Sequence, residues 1–216
     1  IIHYDSPDRR GIDVALLYQP HYFEPTSSKA FELHMSSDTA LRTRSQLLVS
    51  GRLLGEYVHL LVAHWPSRSG GEKGSRPKRI AAAQLGRSII DSLQATDPNA
   101  KIIYMGDLND DPINKSLKKL GSIGLKKQLK STSMFNPMWQ MYQKGIGSLA
   151  WRDTWNIFDQ ILLSKPFTNK EASGLQFYQA KVFNKPYLMQ TDGVYKGYPL
   201  RTFAGGNYKG GYSDHF

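Results

Sequence analysis

Apolar and polar positions along the chain fall into short blocks. IDVALLY (12–18) is almost wholly apolar, the pattern of a buried strand, and FELHM (31–35) alternates as a half-exposed strand does. RSQLLVSGRLLGEYVHLLVAHW (44–65) reads as two strands joined by a turn near Gly51–Gly55. In KRIAAAQLGRSIIDSLQAT (78–96) the residues Ala82, Leu85, Ile89 and Leu93 share one helical face. AKIIYMGDLN (100–109) predicts a short buried strand running into a loop. DPINKSLKKL (111–120) predicts a helix, with Asp111 as its N-cap and Pro112 at the first helical position. IFDQILLS (157–164) and LQFYQAKVF (175–183) read as strands again, while SRSGGEKGSRP (67–77) and FAGGNYKGGY (203–212) look flexible.

Strands precede helices, hairpins occur as well, and polar residues gather where strands end. That order favours a layered α/β fold with mixed sheets, in which ligands sit outside strand ends. At 216 residues and 40% hydrophobic composition, one domain spanning 1–216 is expected. No apolar run approaches the length of a membrane span. The absence of cysteine excludes disulfides, thiolate metal sites and a Cys nucleophile. It leaves the compartment open between secreted, periplasmic and cytoplasmic. The excess of 28 Lys and Arg over 18 acidic residues, a net +10, draws polyanions such as nucleic acid or anionic headgroups.

Four segments deliver polar residues at the end of an apolar strand: HLLVAHWPSR, KIIYMGDLNDDP, WNIFDQILLS and GGYSDHF. Asp107 and Asn109, two apart, point to the same side of an extended strand end, where they suit a hard cation, a phosphate oxygen or a plain turn. A calcium loop fails there, because Pro112 stands where that loop needs Gly and Lys118 where it needs Glu. Asp110 and Asp111 read as an Asx turn capping the next helix. His64 and Arg68 both suit a phosphate, although a histidine beside a tryptophan is also an ordinary packed residue. Asp159 and Asp13 lie in hydrophobic strands and need partners, for which histidine is apt. His3, His21, His34 and His59 lack such company. Ser-His-Asp hydrolysis is set aside because no G-x-S-x-G turn occurs.

Taken in order, AHWPSR, GDLNDDP, FDQILLS and YSDHF resemble the signature of the endonuclease/exonuclease/phosphatase family, whose founding relative is deoxyribonuclease I. RRGIDVALLY together with HWPSR is similar to a bacterial branch of that family. The resemblance implies a four-layer α/β/β/α sandwich of two mixed sheets. It also implies Mg²⁺- or Mn²⁺-assisted hydrolysis of phosphodiesters in an endo- or exonuclease-type enzyme. The alternatives are a phosphatase or phospholipase acting on inositol phosphates, sugar phosphates or phospholipids, and a non-catalytic phosphate-binding module. The expected partner is nucleic acid or another phosphoester, met by a monomer with no membrane span.

Carried onto this chain, the resemblance makes Asp107 the residue that holds the attacking water and Asn109 a phosphate ligand. It makes Asp214 a metal ligand alongside Asp107. His215 becomes a phosphate contact and proton-transfer residue oriented by Asp159, and His64 a second phosphate-binding or proton-transfer histidine oriented by Asp13. Arg10 and Arg68 are further phosphate contacts. The family's principal metal-binding Glu has no counterpart before Arg10, and Glu24 and Glu32 follow the Asp13 strand, in the wrong place. The expectation is therefore a domain whose N-terminal segment, with that Glu, lies upstream of residue 1 and whose last strand lies beyond residue 216. Such a chain is expected to be a poor catalyst by itself.

Overall fold

The computed structural model describes residues 1–169 and 173–216. The chain opens with β1 (Ile2–His3) and β2 (Ala15–Leu16), which pair antiparallel as a short ribbon. The strands β3 (Phe23–Phe31), β4 (Gln46–Leu53) and β5 (Glu56–Val62) form an antiparallel meander. Leu54 and Gly55 turn β4 into β5 with φ of 51° and 88°, the left-handed pair that a two-residue hairpin demands. Helix α1 (Glu72–Thr96) then crosses over to β6 (Ile102–Asp107), which lies parallel to β5. After α2 (Lys115–Leu120), the short β7 (Ser122–Ile123) and β8 (Met134–Phe135) take the far edge. The hairpin β9 (Leu149–Trp151) with β10 (Thr154–Asn156) leads into β11 (Asp159–Ser164), which returns antiparallel between β6 and β8. The seven-stranded mixed sheet runs β3-β4-β5-β6-β11-β8-β7. A last ribbon, β12 (Phe203–Ala204) and β13 (Asn207–Tyr208), stands apart.

Both faces of the sheet carry a buried cluster, although Ile161 of β11 is 42% exposed. On one face α1 packs Ala82, Ala83, Ile89 and Ile90 against Leu61, Ile102, Tyr104 and Leu162, all buried. The polar groups inside this layer are mutually satisfied: Trp65 Nε1 donates to Tyr104 Oη (2.7 Å), Tyr104 Oη to Gln46 Oε1 (2.8 Å), and Gln46 Nε2 to the Ala82 carbonyl (2.7 Å). Such a chain specifies one packing, because an unpaired member would bear the desolvation penalty alone. On the other face Leu16 of the β1–β2 ribbon joins Leu47, Val49, Val58, Leu60 and Leu163. The α+β class with a mixed sheet is thus observed. Of the expected second sheet, the described residues contribute to this face the two-stranded β1–β2 ribbon.

Several local expectations change. Helix α1 starts at Glu72, inside the stretch read as flexible, despite Gly74 and Pro77. Arg76 donates bidentately to Glu72 (2.9 and 2.7 Å), and Ser75 Oγ donates to the Gly71 carbonyl (2.7 Å), so side chains hold a turn that propensity disfavours. Helix α2 starts at Lys115 with Asn114 as N-cap, because the Asp110 and Asp111 carboxylates are committed elsewhere. Of FELHM only Phe31 is in a strand, as the last residue of β3, an edge strand whose bulge between Pro25 and Ser27 breaks the alternation. Only Ala15 and Leu16 of IDVALLY are paired, and Leu17 is 73% exposed. LQFYQAKVF is not a strand either. Phe177 N donates to the Phe167 carbonyl (2.7 Å) and its ring meets Phe135 edge-on, but no ladder forms. The stretch 203–212, read as flexible, holds the β12–β13 hairpin instead.

Candidate active site

Three adjacent strand ends meet at one point. Asp107 closes β6, Asp159 opens β11, and the two are cross-strand partners in an antiparallel register. His64 follows β5 on the other side of β6, where the pairing continues past the strand through Ala63 N to the Met105 carbonyl (2.9 Å) and Trp65 N to the Asp107 carbonyl (3.0 Å). Gly106 makes this approach possible. Its φ is +138°, and a Cβ there would collide with the Ala63 carbonyl. The fourth participant, His215, arrives from the far end of the chain. Phe216 N donates to the Ser148 carbonyl (2.8 Å), and the His215 Nδ1 lies 2.8 Å from Asp159 Oδ2.

The geometry centres on one oxygen. Asp107 Oδ2 lies 3.2 Å from His64 Nε2 and 4.0 Å from His215 Nδ1, while Asp107 Oδ1 accepts Asn109 N (2.8 Å). Burial raises the Asp107 pKa, but the His64 and His215 imidazoles and the Asn109 N–H outweigh it, so the carboxyl titrates below its ordinary range. Burial pushes His215 down, yet Asp159 first, then Asp107 and Asp214, carry it above the usual imidazole value. The pair Asp159–His215 therefore favours an imidazolium oriented through Nδ1, with Nε2 left for other partners.

Each expected residue finds a definite place. His64, Asp107, Asp159 and His215 come together. Asn109 stands next to them with φ 51°, and its amide nitrogen donates to the Trp65 carbonyl (3.0 Å), which ties the loop to β5. Asp13 does not orient His64: it accepts Ser6 N (2.7 Å) and lies 3.1 Å from His3 Nε2, and Asp107 takes its place beside His64. Arg68 clamps the loop after Asp107. It stacks 4.3 Å over the Phe158 ring, and its Nε donates to the Asn109 carbonyl (2.9 Å). Its Nη2 reaches Asp110 (3.1 Å), Asp111 (3.3 Å) and Asn114 (3.2 Å), so its Nε and Nη2 donors are engaged by protein.

Arg10 grips Asp8 through Nε and Nη2 (3.1 and 3.0 Å), and its hydrogen bonds hold that carboxyl down to about 2 against burial. Asp8 in turn meets buried Arg44 (3.3 Å), which donates to the His64 and Trp65 carbonyls (3.2 and 2.9 Å). Arg10, still 61% exposed at its side chain, is thereby tethered to the end of β5.

The sequence reading missed Ser148, Asp8 and Arg44. Ser148 is buried and donates to Asp159 Oδ2 at 2.5 Å, while its carbonyl holds Phe216. Nothing local in GIGSLAW marks it, because both partners are distant in sequence. The paired charges of SPDRR and TRSQ were visible, but not that they meet.

Asp107, Asp159 and His215 place one ligand atom each within 4.8 Å of one another. Two carboxylates and an imidazole so placed could hold a divalent cation. Asp214, expected as a ligand beside Asp107, is exposed and lies outside this cluster.

Strand ends that converge two aspartates and two histidines define a polar centre on a mixed α/β sheet. Residues 1–216 match the profile of the Endonuclease/Exonuclease/phosphatase family, and the chain belongs to that family. No curated protein matches it in sequence. Solved structures similar to it include truncated Caenorhabditis elegans TDP2, with TM-score 0.47 and 17% identity over 68% of this chain and 54% of that one. The human Nocturnin catalytic domain with bound sulfate anion gives TM-score 0.44 and 21% identity over 67% and 49%. Sphingomyelinase C from Streptomyces griseocarneus gives 0.43 and 13% over 69% and 53%. The chain spans about half the length of these solved chains. Among the described residues, no helix is long and apolar enough to cross a membrane.

Proposed function

We propose that the chain carries the reaction centre of a divalent-metal-dependent phosphodiester hydrolase of the nuclease type. The observation that supports it is Asp107 Oδ2 set between His64 Nε2 and His215 Nδ1, with Asp159 backing His215. A phosphodiester is anionic, and its transition state gathers more charge on the phosphoryl oxygens, so aimed cationic donors lower the barrier. A bound cation held by Asp107 and Asp159 would add Lewis-acid stabilisation of those oxygens.

The chain's own residues supply the rest. Asp107, kept ionised at neutral pH, accepts a hydrogen bond from the attacking water, orients it and takes the proton that the water sheds as it attacks phosphorus. As the P–O(water) bond forms and the P–O(ester) bond breaks, the departing alkoxide needs a proton. An imidazolium at His215, sustained by Asp159, can give it, while the His64 imidazole stands near enough to donate a hydrogen bond to a phosphoryl oxygen. Arg10 and buried Arg44 share the single carboxylate of Asp8, which leaves net positive charge beside the end of β5. The net charge of +10 favours a polyanionic substrate over a small neutral one.

The test is turnover of bis-p-nitrophenyl phosphate and plasmid DNA by the purified protein with Mg²⁺, with Mn²⁺ and with EDTA. Cleavage that EDTA abolishes and Asp107→Ala reduces by about 10²–10³ supports the reading. No turnover of any phosphoester with either cation overturns it. Selective hydrolysis of an inositol phosphate or of phosphatidylcholine, with DNA untouched, moves the enzyme to the phosphatase or phospholipase branch.

A further inference from the structure

The segment 183–212 is unlike the rest of the chain. It carries seven aromatic residues, four basic ones (Lys185, Lys196, Arg201, Lys209) and a single acid, Asp192. A folded chain normally buries such rings, yet here Tyr187 (61%), Phe203 (60%), Tyr208 (71%) and Tyr212 (75%) are largely exposed. The segment is nonetheless shaped by its backbone. Gln190 N donates to the Tyr198 carbonyl (2.8 Å), Lys209 N to Thr202 (2.7 Å) and Gly211 N to Arg201 (3.2 Å). The rings therefore stand on a formed surface. Tyr187 meets Tyr212 edge-on at 6.3 Å, and Phe203 meets Tyr208 at 5.5 Å. None of the four cations is ion-paired among the described residues.

This surface is joined to the reaction centre. Tyr212 lies three positions before His215. Tyr198 donates to Asp153 (2.6 Å) and packs against Trp155, whose ring stacks on Phe216 at 6.1 Å and 12°. Exposed rings interleaved with unpaired cations offer stacking faces and phosphate partners in one place. A duplex hides its base faces within its own stack, whereas a single strand presents bases and phosphates together. We infer that residues 183–212 form a binding surface for single-stranded nucleic acid that leads the strand to His215. The inference rests on the phosphodiesterase reading for what happens at the reaction centre, but the binding itself needs neither metal nor turnover.

The experiment is fluorescence anisotropy of fluorescein-labelled dT12 in EDTA, on the full chain, with a salt titration. Two variants are compared with the parent: Tyr187→Ala with Tyr208→Ala and Tyr212→Ala, and Lys196→Glu with Lys209→Glu. Each is expected to weaken dT12 binding about tenfold or more, with the melting temperature and bis-p-nitrophenyl phosphate turnover unchanged. The charge variant should also flatten the log–log salt dependence by about 1.4, roughly 0.7 for each lost phosphate contact. Parent-like dT12 binding by both variants overturns the proposal. So does equal affinity for a 12-base-pair duplex, or binding to phosphatidylserine vesicles without binding to dT12. Intact dT12 binding with no phosphoester turnover would sink the catalytic reading and leave this surface standing.

Discussion

The strands β6 and β11 and the segment 183–216 each supply part of the reaction centre, by opposite means. Asp107 and Asp159 sit at the ends of paired strands whose α1-facing side is buried, with Tyr104 and Leu162 fully enclosed, while on the other face Ile103 and Met105 are half-buried and Ile161 is 42% exposed. Their positions are consequences of core packing. His215 belongs to a segment with two strands of two residues each and several exposed rings, and it is located by Asp159, by Phe216 N on Ser148, and by ring contacts at Trp155. The lesson is a division of labour. The sheet fixes the charges, while the C-terminal segment brings His215, the proposed proton donor, and the proposed binding surface through a few polar contacts that can be cut one at a time.

The largest effect should come from the sheet side. Buried Asp110 joins Arg79 Nε (2.8 Å, though that N–H is not aimed at the oxygen), Arg68 (3.1 Å) and Ser116 (2.5 Å). Asp110→Ala strands the buried Arg79 guanidinium and is expected to cost about 3–5 kcal/mol, read by urea denaturation. A loss under 1 kcal/mol would mean that the loop after Asp107 is not held by charge. Next comes Asp159→Asn, which keeps the shape but removes the carboxylate that lifts His215. The His215 pKa should fall, measured by NMR titration. Turnover of bis-p-nitrophenyl phosphate should drop about 10²-fold or more, with the melting temperature nearly unchanged.

The same division explains what was legible in the sequence. The β4–β5 hairpin, β6 and β11 announce themselves, because burial imposes apolar runs and the strand ends then expose His64, Asp107 and Asp159. Partner choice is not local. Arg68 looks equally suited to a phosphate or to Asp110, and only the crossover through α1 that packs loop on loop decides. Asp13 and Asp159 posed the same problem of a carboxylate in an apolar strand, and they chose His3 and His215. Edge strand β3 and the ribbon β12–β13 escaped notice because polar and aromatic exposure removes the periodic signal.

Smaller effects sharpen the seam between the two regions. Ser148→Ala removes a buried hydroxyl that donates to Asp159 while leaving the backbone hold on Phe216. Turnover number should fall about tenfold at unchanged KM, the effect of one hydrogen bond to a charged group. The pH profile of stability tests both regions together. Asp8, at about 2, and Asp107, also depressed, add stability above the ordinary carboxylate range that is lost as pH falls through their folded values. His215, raised, adds stability below the ordinary imidazole range that is lost as pH rises through its folded value. Thermal melts across pH should therefore decline on both sides, and Asp8→Asn should flatten the acid limb alone.

The smallest effect is the most discriminating. Trp155 touches the C-terminal segment by stacking on Phe216 and by its edge contact with Tyr198. Aromatic pairs of this kind are worth about 0.5–1.5 kcal/mol beyond their buried area. In Trp155→Leu, turnover should fall a few-fold because His215 loses part of its hold, while the melting temperature should move by no more than a few degrees. If the melting temperature instead falls as far as it does in Asp110→Ala, the C-terminal segment belongs to the same cooperative unit as the sheet. The histidine would then be held by the core itself, and the contrast between a rigid charge-setting half and a lightly tethered half would dissolve.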